Sequence, residues 1–169
     1  VNPVDGLLST SATNPVLPSG YNTFRRVGWI RNNASSNFIV GIQVGNGKQK
    51  WWHYSGPRTN TNILSAGNAT TDTVLSAAAY VPPTSQLCHL NVDLDATSAW
   101  RDAGLRINSG GSGARTTRHW QFQLGAAPST TMRVGTDVFF LDENQELIYS
   151  MDNSDSSITV HVVAYLDSL

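Results

Sequence analysis

The sequence predicts an all-β chain, an antiparallel β-sandwich of jelly-roll-like build with about nine strands. Three observations carry that expectation. Lys and Glu, both strong helix formers, supply only four residues: Lys48, Lys50, Glu143 and Glu146. Thr, Val, Ile and aromatic residues gather in short runs, each cut off by Gly, Asn, Ser or Pro. Nowhere do strand-like and helix-like runs alternate in the rhythm of a parallel sheet. A length of 169 residues suits one domain.

The opening stretch, 1–21, holds Pro3, Pro15 and Pro18 among many Ser and Thr residues. Proline lacks an amide donor, so this stretch reads as an extended arm or connector, with a single sandwich domain over 22–169. Thr23–Arg31 alternates weakly around Phe24, Val27, Trp29 and Ile30 and is expected as a strand. Phe38–Val44 is nearly all apolar, the pattern of burial on both faces. Asn46-Gly47 favours a two-residue hairpin turn, because both positions need positive φ, and should pair that run with Lys48–Tyr54. Ser55–Thr71 is polar, is broken by Gly56-Pro57, and reads as a long loop.

Thr73–Val81 is expected as a strand ended by Pro82-Pro83. In Gln86–Leu94, Leu90, Val92 and Leu94 face one way, and His89, Asn91 and Asp93 the other. Thr97–Ala103 suits one helical turn, Leu105–Asn108 a short strand and Ser109–Gly113 a flexible tip. His119–Leu124 alternates again, with Trp120, Phe122 and Leu124 opposing Gln121 and Gln123. Met132–Val134 and Val138–Leu141 read as separate strands, and Glu146–Met151 as a partner of the latter across Asp142-Glu143-Asn144. Ile158–Leu166 is apolar on both faces except at Thr159 and His161, which fits a central strand or a subunit contact.

Composition narrows the function. Charged residues are 14% of the chain, against roughly 25% in an average domain. The net charge of −1 argues against a protein that grips nucleic-acid phosphates. No apolar run approaches the ~18 residues of a spanning helix, so no membrane insertion is expected. The single cysteine, Cys88, excludes an internal disulfide and reads as a small buried hydrophobe. The chain starts at Val1 without a signal peptide, as expected of a processed product or a fragment.

Motifs for chemistry are weak. Asp93 and Asp95 share a strand face with His89 and Asn91, but no calcium-loop or helical metal spacing accompanies them, so no metal or other cofactor is expected. Gly110-Gly111-Ser112-Gly113 lacks the strand-to-helix setting of a nucleophile elbow, and Arg115 and Arg118 do not replace the lysine of a phosphate loop. Asp93, Asp95 and Asp102 could flank a glycosidic bond only if the fold set them across a cleft. Asn33-Ala34-Ser35 and Asn68-Ala69-Thr70 match the glycosylation pattern, which chance also produces in a chain this rich in Asn, Ser and Thr.

Aromatic clusters are better candidates for ligand contact. Trp52 and Tyr54 share one face of a strand, Trp51 and His53 the other, before a polar loop that holds Arg58. One pair is expected in the core and the other on an exposed surface. Trp100-Arg101-Asp102 sets an arginine beside an aromatic, a usual interface pairing. The ligand-binding set read from the sequence is Trp52, Tyr54, Arg58, Trp100 and Arg101, with no catalytic residue.

Residues 6–31 resemble a segment of bacteriophage tail proteins. The match runs through Ser9, Ser11, Ala12, Pro15, Leu17, Pro18, Gly20, Tyr21, Arg25, Arg26, Val27 and Gly28, about a sixth of the chain. Trp29 stands where a small residue is more usual. The close, Ile158–Asp167 with Tyr165-Leu166-Asp167, is also similar. The resemblance implies the C-terminal domain of a tail fibre, spike or needle: β-rich, homotrimeric, located extracellularly in the virion tail and used for host attachment. It implies a host cell-surface glycan or outer-membrane protein as partner, and other tail or virion proteins on the N-terminal side. It brings no catalytic residues. The matched prolines fix an extended entry, and Arg25-Arg26 opens a strand. Competing expectations are a structural virion module for capsid decoration or tail assembly, a lectin-like module of cellular origin, and a polysaccharide-degrading enzyme.

Overall fold

The computed structural model describes residues 6–11, 13–32, 35–45, 49–57, 61–96, 102–107, 120–123 and 132–168. Ten strands and no α-helix occur among them. In chain order these are β1 (Gly41–Val44), β2 (Gln49–Tyr54), β3 (Asn62–Gly67), β4 (Thr73–Ser76), β5 (Leu87–Ala96), β6 (Asp102–Ile107), β7 (Trp120–Gln123), β8 (Met132–Phe140), β9 (Glu146–Met151) and β10 (Ser156–Ser168). They form two antiparallel sheets. The larger runs β1-β2-β10-β5-β8, with β3 also on β10; the smaller runs β4-β9-β6-β7.

Strand β10 is the centre of the larger sheet. One side pairs with β5 over most of its length. The other pairs first with β3, from Ile158 to His161, and then with β2, from Ala164 to Ser168. Flanked on both sides, it occupies the central position its apolar pattern suggests. A bulge between Val162 and Ala164 sets two residues of β10 against His89. That extra residue shifts the alternation, so Val162, opposite Leu90, and Tyr165, opposite Cys88, both face the core.

The core lies between the sheets. The larger contributes Cys88, Leu90, Val92, Leu94, Phe139, Ile158, Val160, Val162 and Tyr165; the smaller contributes Leu75, Ala103, Leu105, Leu147, Tyr149 and Met151. The alternation read in 86–94 holds for Leu90, Val92 and Leu94. The opposite face is not simply solvated, since Asn91 and His161 are buried there as well. Burial also pushes the Cys88 thiol up to about 12, which keeps it protonated at neutral pH.

Several local expectations change. Thr23–Arg31 forms no strand: its weak alternation is held by side-chain contacts without a hydrogen-bonded ladder. Phe38–Val44 is a strand only over β1 and lies at the sheet edge, with Phe38, Val40, Ile42 and Val44 all exposed. The expected loop 55–71 contains β3, recruited by the free side of β10. After β4 the chain turns instead of continuing as a strand, as the amides of Tyr80 and Val81 both donate to the Ala77 carbonyl. Residues 132–140 form one strand, with a bulge where the backbone of Val134 is extra between Arg133, opposite Asp93, and Gly135, opposite Val92. Finally, β9 pairs with β4 and β6 in the other sheet, not with β8. The turn between β8 and β9 is tight, with Asp142 Oδ1 accepting from the amides of Asn144 and Glu146, yet it carries the chain from one sheet to the other. Asp102 and Ala103 belong to β6; the rest of the expected helical turn, the Asn46-Gly47 turn and the tip at 109–113 lie outside the described residues.

Candidate functional site

Pairing of β1 with β2 sets Val44 opposite Trp51 and Ile42 opposite His53. On the inner side of β2, Trp52 and Tyr54 are half-buried and packed against the core. The Tyr54 hydroxyl donates to the Tyr80 carbonyl, and its ring meets Tyr80 edge-on at 6.4 Å and Tyr165 at 6.1 Å. Burial raises the Tyr54 hydroxyl to about 12, partly offset by Arg31. The Arg31 guanidinium lies 4.1 Å from the Tyr80 ring centroid. Two of the five sequence-read ligand contacts therefore face inward. Trp51 and His53 face outward, with ring centroids 6.3 Å apart.

Gly41 makes room for this packing. A Cβ at Gly41 would overlap the Trp52 indole and approach the His53 carbonyl oxygen to 2.9 Å. Gly41→Ala is expected to cost about 1–3 kcal/mol by overpacking, seen as a lower thermal midpoint.

The chain entering the sandwich is fastened to its last strand. Arg26 Nη1 donates to Asp167 Oδ1 at 2.7 Å and Oδ2 at 2.6 Å. The Thr84 hydroxyl donates to the same Oδ1 at 3.1 Å, and accepts from Trp29 Nε1 at 2.8 Å. The Arg26 guanidinium closes the ring 5.7 Å from the Trp29 centroid. The Asp167 side chain is 3% exposed and that of Arg26 18%, so the ion pair is largely desolvated. Trp29 is thus a working member of this clamp. Sequence reading missed the clamp. Its signal was a paired arginine in a chain with few charges and a lone acid near the C-terminal end.

Outward on the larger sheet, His161 Nε2 lies 3.3 Å from Asp93 Oδ2, and Asn62 Oδ1 is buried without a hydrogen-bond partner opposite His161. Among the described residues, no group of three or more His, Cys, Asp or Glu side chains is placed to hold a metal. His89 is held below the ordinary histidine range, first by desolvation and then by His53, against an opposing pull from Asp137. A histidine lowered in the fold binds its proton more readily when unfolded. Stability is therefore complete above the unfolded value near 6.5 and falls as pH drops through and below it. His89→Gln is expected to flatten that acid limb in urea melts at pH 5 to 7.

Arg58, Trp100 and Arg101 lie outside the described residues, as do Asn33, Arg115 and Arg118. The strands that bracket Trp100 and Arg101 are nevertheless placed. Ala96 of β5 pairs with Ser156 at the start of β10, while the clamp holds Asp167 near its end. Eleven residue steps along the strand separate the two, about 36 Å at ~3.3 Å per residue. The β5–β6 connection therefore starts at the end of the sandwich opposite the clamp. Asn68 is exposed, and its side-chain amide donates to the Ser154 carbonyl at 3.5 Å.

No protein-family model matches the chain, and a comparison with curated proteins finds no match.

Proposed function

We propose that the chain is a receptor-binding domain of a bacteriophage tail, a homotrimeric, non-catalytic module that attaches the virion to a host-surface glycan or outer-membrane protein. One observation carries this reading. The two stretches similar to tail proteins, around Arg25-Arg26 and Tyr165-Leu166-Asp167, meet in an ion pair across 141 residues of sequence. Residues matched at both ends of the chain thus serve one structural purpose, fastening the incoming arm to the final strand. That fastening gives the module a polarity. The clamped end faces whatever precedes the arm, and the opposite end, from which the β5–β6 connection leaves, faces the host. Trp100 and Arg101 are assigned to that contact, with Arg58 as a further contact after β2. Trp52 and Tyr54 brace the hairpin from within. Several weak sites carried by linked copies suffice for firm attachment.

The test is flow cytometry of the fluorescently labelled chain on a panel of bacterial strains. Binding to a subset of strains, lost in Trp100→Ala and Arg101→Ala variants of unchanged circular dichroism, is expected. Competition by purified surface polysaccharide from a bound strain identifies a glycan receptor, and insensitivity to it a protein. Failure to bind any strain favours the structural virion module, and release of reducing sugar from that polysaccharide favours the enzyme.

A further inference from the structure

The outer face of the larger sheet carries an uninterrupted apolar row. Val44 pairs with Trp51, Trp51 with Leu166, Leu166 with Leu87, and Leu87 with Phe140. Directly opposed residues in antiparallel strands project from the same face, so these five side chains cross the whole sheet in line. The neighbours of Leu166, Leu87 and Phe140 in sequence, Tyr165, Cys88 and Phe139, are in the core, which fixes the row on the outside. Val44 and Phe140 at its two ends are 53% and 54% exposed. The next row toward the middle has Ile42, itself 59% exposed, and Val138 at its ends, with His53, Ala164 and His89 between them.

Trp51, Leu166 and Leu87 between the row's ends are half-buried, whereas a second apolar surface is more exposed. In the arm and just after it, Leu7, Leu8, Val16, Tyr21 and Phe24 are exposed, and Val16 is 88% exposed. An extended segment and the clamp end of a sheet face, both apolar and both exposing large side chains within one chain, are complementary deficits. They also lie at one level. The arm ends at Arg26, clamped to Asp167, and Leu166 of the apolar row is the adjacent residue. Copies standing side by side about a common axis would bring the arm of one to the row of the next. Reach is ample: residues 6–25 span about 65 Å when extended, whereas five strands are ~19 Å across.

We propose that the outer face of the larger sheet is an interface between copies of this chain, occupied by residues 6–25 of a neighbouring copy. The exchange is heterologous, each copy giving its arm and receiving another, and forms a ring where the rotation between copies closes. The number of copies, three, rests on the functional reading above; the pairing of arm with face does not.

The test uses the full chain in sedimentation velocity at low micromolar concentration. The wild type is expected to sediment as a closed oligomer, three times the 18.3 kDa chain. Two double variants, Val44→Asp with Phe140→Asp on the face and Leu8→Asp with Val16→Asp on the arm, alter only exposed positions. Both are expected to sediment as monomers with unchanged circular dichroism. Cross-linking of mixed isotope-labelled and unlabelled wild-type chains is expected to join arm to face between copies. A monomeric wild type overturns the proposal. So does an oligomer that survives the arm variant, which assigns the face to another face, or one that survives the face variant, which seats the arm elsewhere. An oligomer that binds no bacterium refutes the receptor reading alone, and a monomer that binds refutes this interface alone.

Discussion

Arg26→Ala is expected to lower folding stability by about 3–5 kcal/mol, seen as a fall in the urea midpoint at unchanged slope. The substitution leaves the Asp167 carboxylate, 3% exposed, with the Thr84 hydroxyl but without its two charge-assisted bonds. The cost is that of an uncompensated buried charge, not of the ion pair as such. Replacing both partners should therefore behave differently. Arg26→Met combined with Asp167→Leu removes the charge along with its partner and is expected to recover much of the loss. If the single and double variants are equally unstable, the arm is held by packing of Trp29 and not by the ion pair.

Leu147→Ala is the second large effect. Leu147 is fully buried in β9, between Leu75 of β4 and Ile107 of β6, and faces the larger sheet across the core. Truncation removes three carbons and leaves a cavity, with an expected cost of about 2–5 kcal/mol. Against a total of roughly 8–15 kcal/mol for a domain this size, that is a substantial share. Ile148→Ala, one position along and half-buried on the other side of the strand, is expected to cost markedly less. Equal losses at the two positions would mean that the smaller sheet does not pack on the larger through the alternation seen here.

The strands legible in the sequence are those whose two-residue period coincides with burial. In β5 and β9 alternate residues enter the core, whereas β10 buries residues on both faces, Val160 and Val162 toward the core and His161 and Ala164 on the other side. Where the period is present without a ladder, it misleads. Thr23–Arg31 alternates, but Arg26, Trp29 and Arg31 hold it by ion pair, hydrogen bond and cation–π contact. Phe38–Val44 shows a different failure. An apolar run looks the same whether two faces are buried or one edge awaits a partner, and only the structure places it at the edge. Long-range assignments are the hardest. The short Asp142–Gln145 turn suggests a hairpin, yet β9 leaves for the other sheet, because Leu147, Tyr149 and Met151 complete the core from that side.

The candidate site divides the same way. Periodicity shows that Trp52 pairs with Tyr54 and Trp51 with His53, but it cannot say which pair faces inward. That choice depends on Tyr80 and Tyr165, which come from distant segments. The polarity of the module, clamp at one end and the β5–β6 connection at the other, depends on the register of β10 with β5 and is invisible in the linear sequence.

Hydrogen exchange of the full chain on outer-membrane vesicles from a strain it binds tests that polarity most directly. Protection on binding is expected in peptides covering 97–101, with none added around 24–31 and 165–168. New protection confined to the clamped end, with 97–101 exchanging as in the free protein, would contradict the account.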